Sequence, residues 1–155
     1  MALKFIAPNE IGQAFSQTIS GVLPQIVQGS IASSAAVVTT QMQGLAIYFT
    51  PQSSTRVKLF INGQVVPAAT TVWALVPCYG TGTAPTNAAA AAGTAVVGYG
   101  ATGIAPTGTA GVSFATTSII TGLTPGTTYW FDLKNTFTVS TMGVVSKLTY
   151  FIEEV

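Results

Sequence analysis

Apolar and polar residues alternate with a period of two along much of this chain. In Gly44 to Thr50, Leu45, Ile47 and Phe49 share one face. In Arg56 to Ile61, Val57, Leu59 and Ile61 point one way, and Arg56, Lys58 and Phe60 the other. Neighbouring side chains of a strand face opposite sides, so each stretch reads as a half-buried strand. Ala35 to Thr40, Gln64 to Val66, Thr70 to Cys78, Val112 to Ile120, Tyr129 to Asn135 and Val144 to Glu154 read the same way. Within Thr70 to Cys78, Val72, Ala74 and Val76 oppose Trp73 and Leu75, and Pro77 points to an edge or a strand end. In Val144 to Glu154 the positions Val145, Leu148, Tyr150 and Ile152 break phase, which predicts a bulge near Ser146-Lys147.

The punctuation between these runs is turn chemistry. Asn62-Gly63 predicts a two-residue hairpin between Arg56–Ile61 and Gln64–Val66. Thr124-Pro125-Gly126-Thr127 predicts a type II turn, because Pro presets φ at the first central position and Gly supplies φ > 0 at the second. Beyond it, Tyr129, Phe131 and Leu133 alternate with Trp130, Asp132 and Lys134, which describes a strand apolar on one face and mixed on the other. Tyr79 to Ala110 is rich in Gly, Ala, Thr and Pro. Thr94 to Tyr99 fits a short strand inside it, and the Ala88 to Ala92 run fits a helical turn. A loop of this length in one domain is usually functional or mobile. Eight or nine short, evenly spaced strands predict an all-β antiparallel sandwich or jelly roll over residues 31–155.

Residues 1–30 break the pattern. Ile11, Phe15 and Ile19 recur every fourth residue, Asn9 is placed to cap, and Gly21 and Pro24 stop the run, so a short helix is expected from about Glu10 to Ser20. Two readings stand: a helix that caps the end of the sandwich, or an arm in which Ile11, Phe15 and Ile19 anchor on another chain.

Charge changes the picture. Charged residues make up 6% of the 155 residues, against about 25% in ordinary soluble domains. None lies between Lys58 and Asp132. Extended uncharged surface marks interfaces, so neighbouring subunits are expected to cover part of this one while Thr, Ser, Gln and Asn keep the rest in solution; the alternative is a secreted, Thr-rich monomer. The five basic residues are scattered and net charge is +1, so no nucleic-acid or membrane-surface footprint is present. No apolar run approaches the roughly 18 residues that span a bilayer, and polar positions interrupt the N-terminus where a signal peptide would need an apolar stretch. The lone cysteine, Cys78, is expected in the core.

The inventory for chemistry is nearly empty. There is no His, so His-based triads and the commonest metal ligand are missing. The acidic residues are Glu10, Asp132, Glu153 and Glu154; the last two are adjacent and would point to opposite faces of a strand. Asp132 is expected to make a solvated pair with Lys134 or Lys147. No phosphate-loop pattern and no calcium-loop spacing occurs. No enzyme activity, no cofactor and no metal site is expected. The candidate interface aromatics are Trp73, Tyr79, Tyr99 and Trp130: Trp73 and Trp130 are expected on sheet faces covered by neighbouring chains or by the 79–110 loop, the alternative being that exposed rings beside that loop bind sugars.

Two resemblances attach to these residues. Leu123-Thr124-Pro125-Gly126-Thr127-Thr128-Tyr129 resembles the corner before a late strand of fibronectin type III domains, where the Tyr hydroxyl bonds back to the backbone. The same wording, preceded by LAIYFTPQSSTRVKLFINGQV and followed by a strand ending in acidic residues, resembles the jelly-roll modules of tailed-bacteriophage virion proteins over about Gln43 to Val155. Those modules are similar to the trimeric tumour-necrosis-factor and C1q-like heads. This resemblance implies a non-enzymatic homotrimer of the virion, assembled in the host cytoplasm: a capsid decoration or head-fibre protein that docks on the major capsid protein or another virion protein through residues 1–30. The alternative is a tail component, or a receptor module binding a host-surface glycan through the 79–110 loop.

Overall fold

The alternating stretches become strands of two facing sheets. A computed structural model of the chain describes residues 26–33, 40–67, 73–96, 111–137 and 143–155. The described strands are β1 (Ile26–Ser33), β2 (Ile47–Phe49), β3 (Val57–Pro67), β4 (Trp73–Thr81), β5 (Thr94–Ala95), β6 (Val112–Ile120), β7 (Tyr129–Phe137) and β8 (Gly143–Glu154). No helix occurs among the described residues. The expected 10–20 helix, with Ile11, Phe15 and Ile19, lies outside them, as does the expected strand over 35–40 apart from Thr40, which is in a turn.

The first sheet has the order β1-β8-β3-β6 and the second β2-β7-β4-β5. Every pairing between strands is antiparallel. Each connection crosses from one sheet to the other except that between β4 and β5. This is the eight-stranded double-sheet jelly roll. It separates the two resemblances: the fibronectin type III corner is present, but that family keeps hairpin neighbours side by side within a sheet, and here only β4 and β5 are both consecutive and paired. The core between the sheets is the set predicted by alternation. Val57, Leu59, Ile61, Val65, Ile120, Leu148 and Ile152 from the first sheet meet Ile47, Phe49, Leu75, Phe131 and Leu133 from the second.

The Asn62-Gly63 hairpin does not form. β3 runs straight through both residues, with Asn62 opposite Ala115 and Gly63 opposite Phe114. A two-residue turn would set Ile61 against Gln64 and turn Val65 to the face of Phe60. The straight strand keeps Leu59, Ile61, Gly63 and Val65 in phase, and Val65 is fully buried. Burial of the core face therefore overrode a strong local turn signal. The bulge expected in the last strand is present on β8: its register against β3 shifts between Asn62 and Gln64, and Lys147 there has φ = 51°.

β1 begins at Ile26, so residues 26–30 of the segment set apart as 1–30 are part of the first sheet, in continuous register with β8. Its mate Tyr150 lies over Gly29, where a Cβ would meet the ring. Pro77 sits inside β4, and its missing N–H faces β5, which is only two residues long; its carbonyl accepts from Val96 on that same side. The strand is close to an edge there, as Pro requires.

The corner at Thr124 to Tyr129 has the expected geometry. Gly126 has φ = 78°, and the Thr127 amide donates to the Thr124 carbonyl at 3.1 Å. The Thr124 amide donates to the Tyr129 hydroxyl oxygen at 3.0 Å, which closes the tyrosine corner. Tyr129→Phe keeps the ring and removes this acceptor. It is expected to cost about 1 kcal/mol, the net worth of one hydrogen bond, measured by denaturant titration; an unchanged midpoint would show that the corner does not depend on the hydroxyl.

Candidate interaction surfaces

Alternation alone reads β7 as a half-buried strand with a mixed second face. It is buried on both: Trp130 and Asp132, on the outer side, are 4% and 0% exposed. The cause is the connection from β4 to β5. Residues 82–93 fold back across the outside of the second sheet, and Met42, Cys78, Ala84 and Trp130 form a second small core beneath them, with Val76 packed alongside. The Ala84 amide donates to the Tyr48 hydroxyl at 3.1 Å, and the Trp130 Nε1–H to the Thr81 carbonyl at 3.2 Å. The indole covers Gly80 and Gly93, where any Cβ would run into the ring. The Ala88 to Ala92 run makes no helix. Ala90 bridges to Gln41 in extended form, and the Met42 amide donates to the Ala89 carbonyl at 3.0 Å.

The candidate interface aromatics are thus placed one by one. Trp130 is covered by its own chain, by residues 82–93 of the loop. Tyr79 is half-buried and packs inward, 6.2 Å from Tyr129 and 6.3 Å from Phe131 between ring centroids. Trp73 opens β4 opposite Phe137, and Tyr99 lies outside the described residues. The described part of the 79–110 loop, through Val96, is folded onto the sheet, and 97–110 lie outside the described residues.

Asp132 is not a solvated pair with Lys134 or Lys147. Its carboxylate accepts from three backbone amides: Gly44 (2.9 Å, to Oδ2), Leu45 (3.1 Å, to Oδ1) and Leu133 (2.7 Å, to Oδ1). Sequence reasoning missed this role, and the reason is register. Met42 bridges Lys134 while Ile47 faces Phe131, so the segment between them is two residues longer than the stretch of β7 it spans. Gly44 and Ala46 take up the excess with φ of 71° and 48°. The amides that this irregularity leaves without a ladder partner turn to Asp132. Beside it, Gln43 Nε2 donates to Asn135 Oδ1 at 2.8 Å. Burial pushes the Asp132 carboxyl up to about 6, against the opposing pull of the three amides. Burial also raises the Cys78 thiol. Both Asp132 oxygens are engaged inside the protein, so its chemistry is structural.

The adjacent acids of β8 divide as alternation predicts. Glu153 faces out and pairs with Lys58 at 3.3 Å. Glu154 is buried, and its Oε1 accepts from the amides of Gln52, Ser53 and Ser54 at 2.6, 2.8 and 3.0 Å. It closes the 51–55 turn beneath the corner, where the Gly126 amide donates to the Pro51 carbonyl at 2.7 Å. Among the described residues no group of three or more His, Cys, Asp or Glu side chains could hold a metal ion.

Shallow depressions mark the surface of the described residues. One, about 450 Å³, lies on the first sheet among Gln28, Ser30, Phe60, Thr149 and Phe151. A second, about 340 Å³, lies by Asn62, Gln64 and Lys147 at the β8 bulge. A third, about 120 Å³, lies where β5 and β6 face each other, between Tyr79, Thr94, Val96 and Ile119. Ile119 is 49% exposed there. The uncharged span between Lys58 and Asp132 takes in most of β3, all of β4, β5 and β6, and the 82–93 covering.

No protein-family model matches the sequence, and no curated protein matches it. Among solved structures, the chain is similar to a structure of the Gx strain of infectious bursal disease virus, with a TM-score of 0.49 and 11% identity over 84% of this chain and 32% of the other. It is likewise similar to a mutant VP2 protein of that virus in T=1 particles, with a TM-score of 0.48, 11% identity and the same coverages. A VP2 subviral particle of the virus gives a TM-score of 0.42 at 15% identity, again over 84% and 32%. The chain spans about a third of the length of the solved chains it matches. Likenesses of this strength carry no argument about function. The jelly-roll assignment rests on the strand order.

Proposed function

We propose that this chain is a non-enzymatic structural protein of a virus particle: a homotrimeric capsid decoration or head-fibre protein of a tailed phage, whose sandwich forms the exposed head and whose N-terminal segment docks on the capsid. The observation that carries the reading is a jelly-roll strand order combined with a nearly uncharged surface. Jelly rolls host viral capsid, lectin and cupin domains, so the fold alone does not choose, and function must be argued from the side chains. A cupin-type centre would draw on His ligands, and the sequence has none. A lectin reading needs aromatic rings open to a sugar; among the described residues Trp130 and Tyr79 are turned into the protein, and Tyr48, 44% exposed, is engaged at its hydroxyl by the Ala84 amide. What the surface offers instead is uncharged, β-branched area suited to burial against other chains, where stability becomes linked to assembly.

Two measurements test this. Light scattering after size exclusion is expected to give three times the 15.8 kDa chain mass; a monomer at micromolar concentration contradicts the trimer. Removing residues 1–25, which stops short of β1, is expected to leave the sandwich folded and abolish attachment to the particle. Attachment that survives this truncation removes the docking role from the segment. Removing 1–33 instead would delete β1 and confuse docking with unfolding.

A further inference from the structure

We propose that the two outer edges of the first sheet are the self-association surface: β6 of one copy pairs with β1 of the next, joining first sheets edge to edge around the trimer axis. This rests on the homotrimeric reading above and names the surface that reading leaves open.

The four sheet edges are treated differently. Those of the second sheet are blunted. β5 is two residues long. β2 is three residues long, and the extended segment preceding it is flanked by the chain itself, through Met42 N–H to the Ala89 carbonyl, Ala88 N–H to Met42 and Ala91 N–H to Thr40, each 3.0 Å. Among the described residues the edges of the first sheet carry no such device. β6 pairs with β3 in unbroken register over nine residues, and β1 pairs with β8 in one register from Ile26 to Ser33. Neither contains a charged residue or a proline. Natural monomers protect long edges with lysines, prolines, bulges or short strands. In this sheet the placement is inverted: Lys58 is on β3, and Lys147, Glu153 and Glu154 are on β8, the two central strands, as is the bulge. Among the described residues nothing pairs with the outer side of β1 or β6.

Direction supplies the partner. Four antiparallel strands leave β1 and β6 running oppositely. A second copy, rotated about an axis along the strands, therefore presents β1 to β6 in antiparallel sense and continues the sheet. The contact joins two different patches, the heterologous type that closes rings. The main-chain groups of an edge strand fit another extended backbone. With no charge on either strand, no register of this pairing sets like charges together. The exposed residues at the joint would be Ser113, Ala115, Thr117 and Ile119 of β6 beside Gln28 and Ser30 of β1.

The test uses the full chain. Ala115→Lys/Thr117→Lys places two charges on the β6 edge at exposed positions. The expected result is a fall from trimer to monomer mass, with an unchanged far-ultraviolet spectrum. Crosslinking keeps the proposal testable should that variant misfold. Ser30→Cys and Ala115→Cys are combined and treated with a bismaleimide too short to span the roughly 14 Å that three strand spacings put between the edges of one copy. The double variant is expected to give dimer and trimer bands, and each single variant none, Cys78 being buried. A trimer that persists with both lysines in place, with no crosslink in the double variant, overturns the edge pairing and leaves the trimer reading intact. Crosslinking by Ala115→Cys alone shows β6 against itself and also overturns it. A monomeric unaltered protein removes both.

Discussion

Replacing Asp132 with Ala is expected to lower the unfolding free energy by about 3–5 kcal/mol, because it strands three amides and leaving a buried donor unsatisfied costs about 1–3 kcal/mol each. The side chain is fully buried, and the Gly44, Leu45 and Leu133 amides all end on it. Asp132→Asn separates charge from hydrogen bonding. It retains one oxygen for Leu45 and Leu133 and turns an NH2 toward the Gly44 amide, so one donor is lost rather than three, and a loss of about 1–2 kcal/mol is expected. Equal losses in the two variants would mean that the carboxylate does not hold the 44–46 segment.

The same residue gives a pH dependence whose sign follows from its environment. Burial raises the folded-state value to about 6 from an ordinary 3.8. The folded protein then binds the proton more tightly than the unfolded chain. The contribution of Asp132 is fully present below about pH 4 and is lost as pH rises through 6, with an upper size of roughly 3 kcal/mol for a shift of about two units. The quantity to measure is the difference between the unaltered protein and Asp132→Asn in denaturant titrations from pH 4 to 7, in which every group the two proteins share cancels. The unaltered protein is expected to gain relative to the variant as pH falls. A gain for the variant instead would show that the three amides outweigh burial.

Trp130→Ala is expected to cost about 3–5 kcal/mol, the range for deleting a large buried aromatic side chain, and to loosen a defined part of the molecule. The indole is the floor on which residues 82–93 rest, covering Gly80 and Gly93 and donating to the Thr81 carbonyl. Cys78 lies in the same small cluster at 1% exposure, its thiol held neutral by burial. An aromatic thiol reagent is therefore expected to react slowly with the native protein and quickly with Trp130→Ala under native conditions. A destabilised variant whose thiol stays inert would place the damage in the core between the sheets rather than in the outer layer.

The positions where local pattern succeeded and failed have physical explanations. Alternation reports which residues share a face, so Leu45/Ile47/Phe49 and Val57/Leu59/Ile61 were legible. The Pro125-Gly126 turn and the Tyr129 acceptor were legible because both are contained within a few residues. Asn62-Gly63 misled because turn chemistry is permissive rather than compulsory: Asn and Gly also accept extended backbone when the core demands it. β1 was missed because Ile26 to Ser33 is a weak strand alone, with Gly29 in its middle, and gains its structure by pairing with β8 from the far end of the chain. Asp132 was misassigned because a charge between two apolar residues reads as solvent-facing. Nothing local announces that the amides of Gly44 and Leu45, 88 and 87 residues upstream, will close on it.

The sequence by itself determined that this protein is an all-β sandwich, which faces of most strands enter its core, where the corner and the β8 bulge fall, and that its surface is poor in charge. These are properties of period, turn chemistry and composition, each readable over a few residues. Only the tertiary structure decided the jelly-roll strand order, the burial of Trp130 under residues 82–93 and of Asp132 against the Gly44 and Leu45 amides, and the placement of the charges of the first sheet on its central strands rather than its edges. Those depend on which distant strands pair, and pairing is set by the joint burial of two sheets rather than by any segment alone.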